Sequence, residues 1–295
     1  MIKQTLMFTT PVSLSLKDCQ LVISKKEDDT IVTRPIEDIG FVVVDNPMVK
    51  MTVPLINALT ENNVATIFCD SRQMPSSMLL TLEGNSTQQE SYRFQIEAKK
   101  STNKQLWKQI IEAKIKNQSA LLKLVGKDGD KLKPYYMNVK SGDSDNREGI
   151  ASQIYWKTLF GKDFLRSRDG FSPNNLLNYG YAILRAAVAR ALVGSGLLPA
   201  FGIYHRNRYN AFPLADDIME PYRPFVDEIV YHQYMDEEVD SLNKEVKIQL
   251  LKCLTSDVKM NKIVRPLQIA LSMTTASRVR VYKGQEGKLV LPEMK

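Results

Sequence analysis

The segment SPNNLLNYGYAILRAAVARALVGSG, residues 172–196, decides the fold class of this chain. Ser172 and Pro173 are typical of a helix start, because Ser favours the N-cap and Pro the first helical position. The residues that follow are alanine-rich and apolar nearly all round, and the closing GSG ends the pattern. Arg185 and Arg190 lie inside this apolar stretch and argue against a membrane span. We therefore predict that the segment is the central, buried helix of a helical domain.

Helical patterns continue on both sides of this segment. In residues 102–125 apolar side chains recur at intervals of three and four, and Thr102 with Gln105 fits a capping box at the start. The lysines of this helix are expected mostly outside its apolar stripe: Lys104, Lys108, Lys114 and Lys116. Further helices are predicted at about 145–160, 214–220, 224–236, 243–255 and 264–282.

The first 75 residues have a different pattern. Short runs of β-branched and apolar residues alternate with turn-forming pairs, which is typical of strands. These runs are LMFTT (6–10), VSLSL (12–16), QLVIS (20–24), TIVTR (30–34), IGFVVV (39–44) and ATIFC (65–69), with one helix at about 52–62. The predicted fold class is therefore α+β: a small N-terminal β-sheet domain (1–75) followed by a larger all-α domain (101–295). Residues 76–100 are predicted to form a linker and a first helix.

Charge is divided unevenly along the chain. The 40 Lys and Arg outnumber the 33 Asp and Glu, which gives a net charge of +7. Residues 1–75 carry −2 and residues 101–295 carry +9, so the front part suits protein contacts and the back part suits phosphate contacts. The three cysteines are far apart and form no CxxC pair, as expected for reduced thiols. With no signal-peptide pattern at the N-terminus, we expect a cytoplasmic protein.

The segment GIYHRNRYNAFPLADDIMEPYRPFVD, residues 202–227, has the highest density of polar functional groups. His205 is expected on a loop or at the start of a new element, and LADDIMEP begins a short helix on which Asp217 and Glu220 share one face. Asp216 is rotated away from that face. One imidazole and one or two carboxylates that converge form a ligand set for Mg²⁺ or Mn²⁺ rather than for structural zinc.

Structural explanations for these residues stay open. A lone histidine near a loop is usually structural, and Asp216 and Asp217 in the first turn of a helix favour its dipole. That explanation is weaker for Glu220 at the helix end, where negative charge is unfavourable. Glu148 is a third candidate ligand, although Asp145 and Glu148 also fit a capping box.

Three arginines lie in the same segment: Arg206, Arg208 and Arg223. Surface arginines are usually only solvated, but three beside a metal ligand set suit the clamping of phosphate. His232 faces no acidic cluster in the sequence and is interpreted as structural. The chain has no Walker loop, no GxGxxG after a strand, no GxSxG and no HExxH, so nucleotide hydrolysis and serine or zinc hydrolysis are poorly supported.

The residues together resemble the CRISPR-associated integrase family, which inserts new spacers into a CRISPR array. The resemblance covers most of the chain and is carried by LWKQIIEAKIKNQSALL (106–122), by the glutamate that enters a helix at 148, and above all by G-x-x-H followed by L-A-x-D-x-x-E-P-x-R-P-x-x-D. It implies three metal ligands, Glu148, His205 and Glu220, with Asp217 in support. Many relatives have aspartate where this chain has Glu220. The chain length and the motif EPYRP (220–224) most resemble the family members that accompany a single large RNA-guided nuclease.

The resemblance also implies a reaction and partners. The reaction is a transesterification that depends on Mg²⁺ or Mn²⁺, in which 3′-hydroxyl ends of a spacer precursor attack the CRISPR repeat in double-stranded DNA. The family forms homodimers, and the near-neutral β-domain is the natural dimerisation surface. A small ferredoxin-like CRISPR-associated partner is expected to bridge two such dimers.

Two other functions stay open. A metal-dependent nuclease acting on branched or single-stranded DNA would use the same three residues with water as the nucleophile. A non-catalytic DNA-binding scaffold would use Glu148 only as a cap and His205 only as a packed loop residue. The scaffold predicts that Glu148→Ala and His205→Ala leave DNA handling unchanged.

Overall fold

The computed structural model describes residues 3–25, 30–236 and 238–294. The chain divides into two compact units, Met1–Gly84 and Asn85–Lys295. The first unit contains β1 (Gln4–Phe8), β2 (Ser13–Lys17), β3 (Gln20–Ser24), β4 (Ile31–Pro35), β5 (Ile39–Val44), β6 (Lys50–Met51), α1 (Val53–Glu61), β7 (Ala65–Cys69) and β8 (Pro75–Leu79). The α+β fold class, with a β-sheet region before a helical one, is thus confirmed.

Two four-stranded sheets build the first unit. One has the order β1-β5-β7-β8, parallel except for the antiparallel edge strand β8, and the other has the order β4-β3-β2-β6. All six residues of β5 are buried, as expected for a central strand covered on both faces. Leu55 and Leu59, one turn apart on α1, add to the same apolar core as Leu14 and Leu21. Because β8 pairs with β7, the first unit extends past residue 75 into the segment predicted as a linker.

The second unit is mainly helical. Its helices are α2 (Gln88–Ile96), α3 (Lys100–Leu124), α4 (Lys133–Met137), α5 (Arg147–Phe160), α6 (Asn174–Gly194), α7 (Pro213–Met219), α8 (Arg223–Tyr231), α9 (Lys244–Leu251) and α10 (Leu267–Tyr282). The strands β9 (Asp257–Met260), β10 (Ile263–Pro266) and β11 (Pro292–Glu293) form a small antiparallel sheet in the order β10-β9-β11. The prediction of an all-α second domain is therefore wrong in this part, because these three strands pair within it.

Helix α6 lies at the centre of the second unit and contacts α7, α8, α9 and α10. It is long and apolar enough to cross a membrane, but 78% of its most apolar window is buried among its neighbours, as in the core helix of a folded domain. Gly180 allows α8 to approach closely, since a Cβ there would lie 2.4 Å from Val226 Cγ1. The prediction of a central buried helix is confirmed.

Candidate metal and DNA site

Glu148 lies in the first turn of α5, and other side chains cap this helix. Asp143, not Asp145, caps this helix by accepting from the backbone nitrogens of Arg147 at 2.8 Å and Glu148 at 3.1 Å. The N-cap residue Asn146 also accepts from a backbone nitrogen of the first turn. The capping box predicted for Asp145 and Glu148 is therefore wrong: Asp145 pairs with the Arg147 side chain, which leaves the Glu148 carboxylate free for another role.

Lys114 on α3 joins two of the predicted ligands. Its Nζ lies 2.5 Å from Glu148 Oε1 and 2.6 Å from Glu220 Oε2. The side chain is only 9% exposed, so this ammonium is buried between two carboxylates. Burial alone would lower the pKa of Lys114, but Glu220 and Glu148 outweigh it and raise the pKa. The expectation that the lysines of this helix lie mostly outside the apolar stripe therefore fails for Lys114, which is fixed in the site.

Glu220 lies between two cationic side chains. It ends α7 and begins the 3-10 turn Glu220–Tyr222, and Arg223 Nε lies 3.0 Å from its Oε1. Burial would raise the pKa of Glu220, but Arg223 and Lys114, with a smaller effect of His205, lower it to about 2. Apart from the Lys114 ion pair, Oε2 accepts no hydrogen bond from the described residues. The carboxylate is therefore held ionised with one oxygen still able to accept a ligand.

Arg223 was expected to be an exposed residue that contacts phosphate, but it lies mostly inside the protein. Its guanidinium pairs with Glu220 and lies 4.4 Å from the centre of the Tyr181 ring, and its side chain is 23% exposed. Arg206 and Arg208 are exposed on the loop after Ile203, as expected for residues that meet a ligand from solvent. The arginines thus divide into one that stabilises Glu220 and two that are open to solvent.

His205 is held by Asp217. The imidazole Nδ1 lies 2.6 Å from Asp217 Oδ1, and Asp217 also accepts from the backbone nitrogens of Ile203, Tyr204 and His205. Asp217 is completely buried. Its hydrogen bond raises the pKa of His205, although burial opposes the effect. Because Nδ1 is occupied, Nε2 is the nitrogen left for a ligand, which is the arrangement by which carboxylates orient metal-binding histidines.

Gly202 allows this loop to close over Asp217. A Cβ on Gly202 would lie 2.5 Å from His205 O and 3.0 Å from Asp217 Oδ2. The backbone of the loop can therefore wrap the carboxylate only without a side chain at this position. The G-x-x-H spacing in the sequence has a direct structural reason.

Asn117 anchors the turn that carries Glu220. Its Nδ2 donates to the carbonyls of Pro221 at 2.8 Å and Pro292 at 3.0 Å, and its Oδ1 accepts from the backbone nitrogen of Met294. The side chain is 1% exposed. Asn117 lies three residues after Lys114, so one face of α3 supplies both the buried cation and the support for the buried acid.

The donor chemistry fits a hard divalent cation in part. Two carboxylates from α5 and the end of α7 contact one cation, the Lys114 ammonium, and His205 is close enough that its charge and that of Glu220 shift each other's pKa. Within residues 3–25, 30–236 and 238–294, however, no group of three His, Cys, Asp or Glu side chains is close enough to hold an ion. Asp216 pairs with Arg185 and Asn210 instead of facing this site.

A third buried carboxylate, Asp227, connects the helices around the site. It accepts from the hydroxyls of Tyr155 at 2.7 Å and of Tyr181, and so links α5, α6 and α8. Burial raises the pKa of Asp227 to about 6, although the two tyrosines and Arg223 act in the opposite direction. This group is the last residue of the L-A-x-D-x-x-E-P-x-R-P-x-x-D pattern, and its role is to join helices.

Asp227→Asn is expected to change how stability depends on pH. The pKa is raised in the folded state from the ordinary 3.8 to about 6, so the folded state binds more protons in that range. The wild type should therefore lose about 2 kcal/mol of unfolding free energy from this group as the pH rises from 4 to 7, and the variant should not. Urea unfolding of both proteins at four pH values measures this difference. If the difference in unfolding free energy between the wild type and the variant stays the same at all four pH values, the prediction is wrong.

Sequence patterns did not predict the roles of Lys114, Asn117, Tyr155 and Tyr181 at this site. A signal existed for the first two: Lys114 lies three and four residues after Ile111 and Ile110, on the buried side of α3. A lysine and an asparagine at core positions of an amphipathic helix indicate buried partners. The tyrosines carried no such signal, because aromatic residues are ordinary in a core.

Comparison with known proteins gives a consistent result. The family described as "CRISPR associated protein Cas1" matches residues 6–268. The chain is 35% identical over 285 residues to "CRISPR-associated endonuclease Cas1" of Neisseria meningitidis serogroup C (strain 8013), covering 95% of this chain and 93% of that protein. Among solved structures, "Casposase bound to integration product" has a TM-score of 0.80 at 20% identity, covering 98% of this chain and 92% of that one. A chain of a "Cas6-RT-Cas1--Cas2 complex" has a TM-score of 0.75 at 20% identity, covering 99% of this chain and 36% of the other. The two structures show that the fold is shared.

Proposed function

This chain belongs to the family of CRISPR-associated Cas1 proteins, and we propose that it is a divalent-metal-dependent DNA integrase and endonuclease of CRISPR adaptation. The observation that carries the proposal is the convergence of Glu148 and Glu220 on one buried cation beside His205. A scaffold has no need for two carboxylates that contact one buried cation there. The Neisseria relative is named an endonuclease, and the casposase was solved with an integration product, which supports the same class of chemistry.

Glu148, Glu220 and the Nε2 of His205 are proposed to hold Mg²⁺ or Mn²⁺. Asp217 is proposed to support them by fixing the orientation of the imidazole. A divalent ion ligated by both carboxylates would need the space that Lys114 Nζ occupies, so we expect the ammonium to move away when an ion binds. When bound, the ion supplies Lewis-acid activation of the phosphate and stabilises the leaving oxygen.

The proposed reaction is a transesterification, which needs no oxidant or reductant. A 3′-hydroxyl oxygen of the incoming DNA bonds to a phosphorus of the repeat, and the bond from that phosphorus to the adjacent 3′-oxygen breaks. The proton of the attacking hydroxyl is lost, and the leaving oxygen gains one. The task of the protein is to bring the 3′ end of the incoming DNA into line with the phosphodiester that it attacks, a proximity effect.

Charge and exposed groups support a DNA substrate. Residues 101–295 carry a net charge of +9, and Arg206 and Arg208 lie exposed next to His205. Contacts of this kind position phosphates without reading bases. We propose that both arginines contact the double-stranded DNA of the spacer precursor or the repeat, and that Arg223 acts indirectly by keeping Glu220 ionised.

Partners are proposed on the same basis. Two catalytic sites at a fixed distance require a symmetric oligomer. The first unit exposes Ile31, Met48 and Val53, each more than 60% accessible, which suits a homodimer interface. A small ferredoxin-like partner is proposed to bridge two dimers, and a structural neighbour of this chain comes from a complex that contains Cas2. We further propose the cytoplasm as its location, and the subtype that accompanies one large RNA-guided nuclease.

A plasmid assay tests the proposed function. Protein and its small partner are mixed with Mn²⁺ or Mg²⁺, a labelled duplex with 3′-hydroxyl ends, and a supercoiled plasmid that bears a CRISPR array. We expect label to join the plasmid with the wild type and metal, and not with His205→Ala or with EDTA. Nicking without joined label would indicate a nuclease instead. If the wild type and the His205→Ala variant join equal amounts of label, His205 does not belong to the proposed site.

A further inference from the structure

Residues 289–294, which include β11, are fixed to three elements of the second unit. Leu289 N donates to Gln109 Oε1 on α3 at 2.8 Å, and Val290 N donates to Ser277 Oγ on α10 at 3.0 Å. Strand β11 itself pairs with β9. We call residues 289–294 the β11 segment. Its position is therefore set by α3, α10 and β9, independently of the candidate site.

Asn117 links the β11 segment to the turn that carries Glu220. Its amide nitrogen donates to the carbonyls of Pro221 and Pro292, and its Oδ1 accepts from the backbone nitrogen of Met294. The two N–H groups and the oxygen of this buried amide are thus all used. One side chain therefore connects the residue after Glu220 to two residues of the β11 segment.

Thr274 on α10 forms a second link. Its hydroxyl oxygen lies 2.6 Å from the Val290 carbonyl oxygen and 2.6 Å from the Tyr222 hydroxyl oxygen. Because a carbonyl can only accept, Thr274 donates its one proton to Val290 and accepts from Tyr222. Thr274 and Tyr222 are both completely buried. These two hydrogen bonds therefore join the turn to the β11 segment without competition from solvent.

The two links reach consecutive residues of one turn. Asn117 contacts Pro221 and Thr274 contacts Tyr222, and both of these follow Glu220 directly within the 3-10 turn. Metal ligands must be held within about 0.5 Å of their working geometry by packing and by hydrogen bonds of the residues around them. The two links supply such support to the backbone from which the Glu220 carboxylate extends.

The cations beside Glu220 do not give this support. Lys114 Nζ lies 2.6 Å from Oε2, but it is carried on a flexible four-carbon stem and can follow the carboxylate. Arg223 Nε lies 3.0 Å from Oε1, but Arg223 is only three residues further along the same stretch of chain. The position of the turn therefore depends on groups outside it, which are Asn117 and Thr274.

We propose that Asn117 and Thr274 are positioning residues, which use the β11 segment as an anchor to hold Glu220 where it binds the divalent ion. The inference rests on the metal site of the proposed function. It adds that the geometry of this site depends on a segment far from the metal ligands in sequence. Loss of the anchor should therefore weaken metal binding although every ligand is still present.

Thr274→Val tests the second link. Valine keeps the shape of threonine and removes the hydroxyl that joins Tyr222 to Val290. Mn²⁺ is titrated into the protein without DNA, and the free ion is measured from its electron paramagnetic resonance signal. We expect the affinity for Mn²⁺ to fall about tenfold, because changes in the groups that orient metal ligands cost about 10–100-fold. Urea unfolding without metal is measured in parallel.

Thr275→Val is the matched control. Thr275 is the next residue of α10 and is also completely buried, but its hydroxyl lies 2.7 Å from Ser195 Oγ and donates to the Ala191 carbonyl, at the end of α6. The same chemical change should lower the urea midpoint by a similar amount in both variants. The affinity of Thr275→Val for Mn²⁺ should stay within about twofold of the wild type.

Deletion of residues 292–295 tests whether β11 acts through Asn117. The deletion removes the Pro292 carbonyl and the Met294 N–H group, and it leaves the hydrogen bond to Pro221. The deletion and Asn117→Ala should each weaken Mn²⁺ binding by at least about fivefold. Combined, they should weaken it by less than about twofold beyond Asn117→Ala alone, since both changes remove the same coupling. If the two effects multiply, β11 does not act through Asn117 and the proposal is wrong.

The outcomes also distinguish this proposal from the proposed function. If the wild type binds no Mn²⁺, the metal site and the positioning role fail together. If the wild type binds Mn²⁺ and the Thr274→Val and Thr275→Val variants bind it equally well, the positioning role is wrong while the metal site stands. The two threonine variants give this answer even if the protein without residues 292–295 does not fold.

Discussion

Glu148→Gln is expected to lower strand joining by more than about 100-fold and to leave the fold intact. Loss of a group that only orients a metal ligand costs about 10–100-fold, and loss of the charged ligand itself should cost more. Glutamine keeps the volume and an oxygen for the Ser152 hydroxyl, which lies 2.9 Å from Glu148 Oε1. What disappears is the negative charge of this carboxylate, whose pKa the Lys114 cation lowers.

The folding cost of this change should be moderate. The Glu148 side chain is 31% exposed, and Lys114 keeps its second partner, Glu220, at 2.6 Å. Since the buried ammonium keeps one carboxylate, loss of the other hydrogen-bonded partner should cost about 1–3 kcal/mol. Joined label per unit time at saturating Mn²⁺, with the urea midpoint measured in parallel, therefore separates catalysis from stability.

Glu112→Gln is the matched control. Glu112 lies on α3 and pairs with Lys108 at 3.6 Å on the helix surface, so the same chemical change there should leave joining within about twofold. Joining by Glu148→Gln at more than a third of the wild-type rate would remove Glu148 from the proposed ligand set.

Local sequence patterns were sufficient for part of this structure. The apolar composition of α6 predicted a central buried helix, and the β-branched runs before residue 75 predicted strands. Both patterns depend only on residues that are close together in the sequence. The predicted start at Thr102 and Gln105 was wrong, since α3 begins at Lys100 and no side chain caps it. Helix ends depend on the chain that precedes them, which spacing alone does not describe.

The candidate site was predictable only where its parts are close in sequence. His205 and Asp217 are twelve residues apart, and their contact follows from one loop closing on the next helix. Lys114 meets Glu148 and Glu220 only through packing of α3 against α5 and the 220–222 turn, which no spacing in the sequence encodes. The set of Glu148, His205 and Glu220 came from a resemblance to a family, and their service as metal ligands stays a prediction.

Asp217→Asn should lower both stability and joining, and should open the loop that carries His205. The completely buried carboxylate accepts three backbone N–H groups and the imidazole Nδ1, whereas asparagine offers one oxygen and turns an N–H₂ donor toward other donors. We expect unfolding to become easier by about 2–4 kcal/mol, because a buried donor left unpaired costs about 1–3 kcal/mol. Joining should fall about 10–100-fold, since the imidazole loses the group that orients it.

Trypsin reports on the loop itself, because Arg206 and Arg208 are exposed cleavage sites beside His205. Cleavage there should accelerate in the Asp217→Asn protein, as followed by the masses of the two fragments. Asn117→Ala is the matched control: it also removes buried hydrogen bonds from the second unit, but those to Pro221, Pro292 and Met294 rather than to the loop. Equal acceleration in both variants would mean that cleavage follows global unfolding. Faster cleavage in Asp217→Asn alone, at matched stability in urea, would mean that one buried carboxylate holds the histidine in place, and that the spacing between them is fixed by this contact.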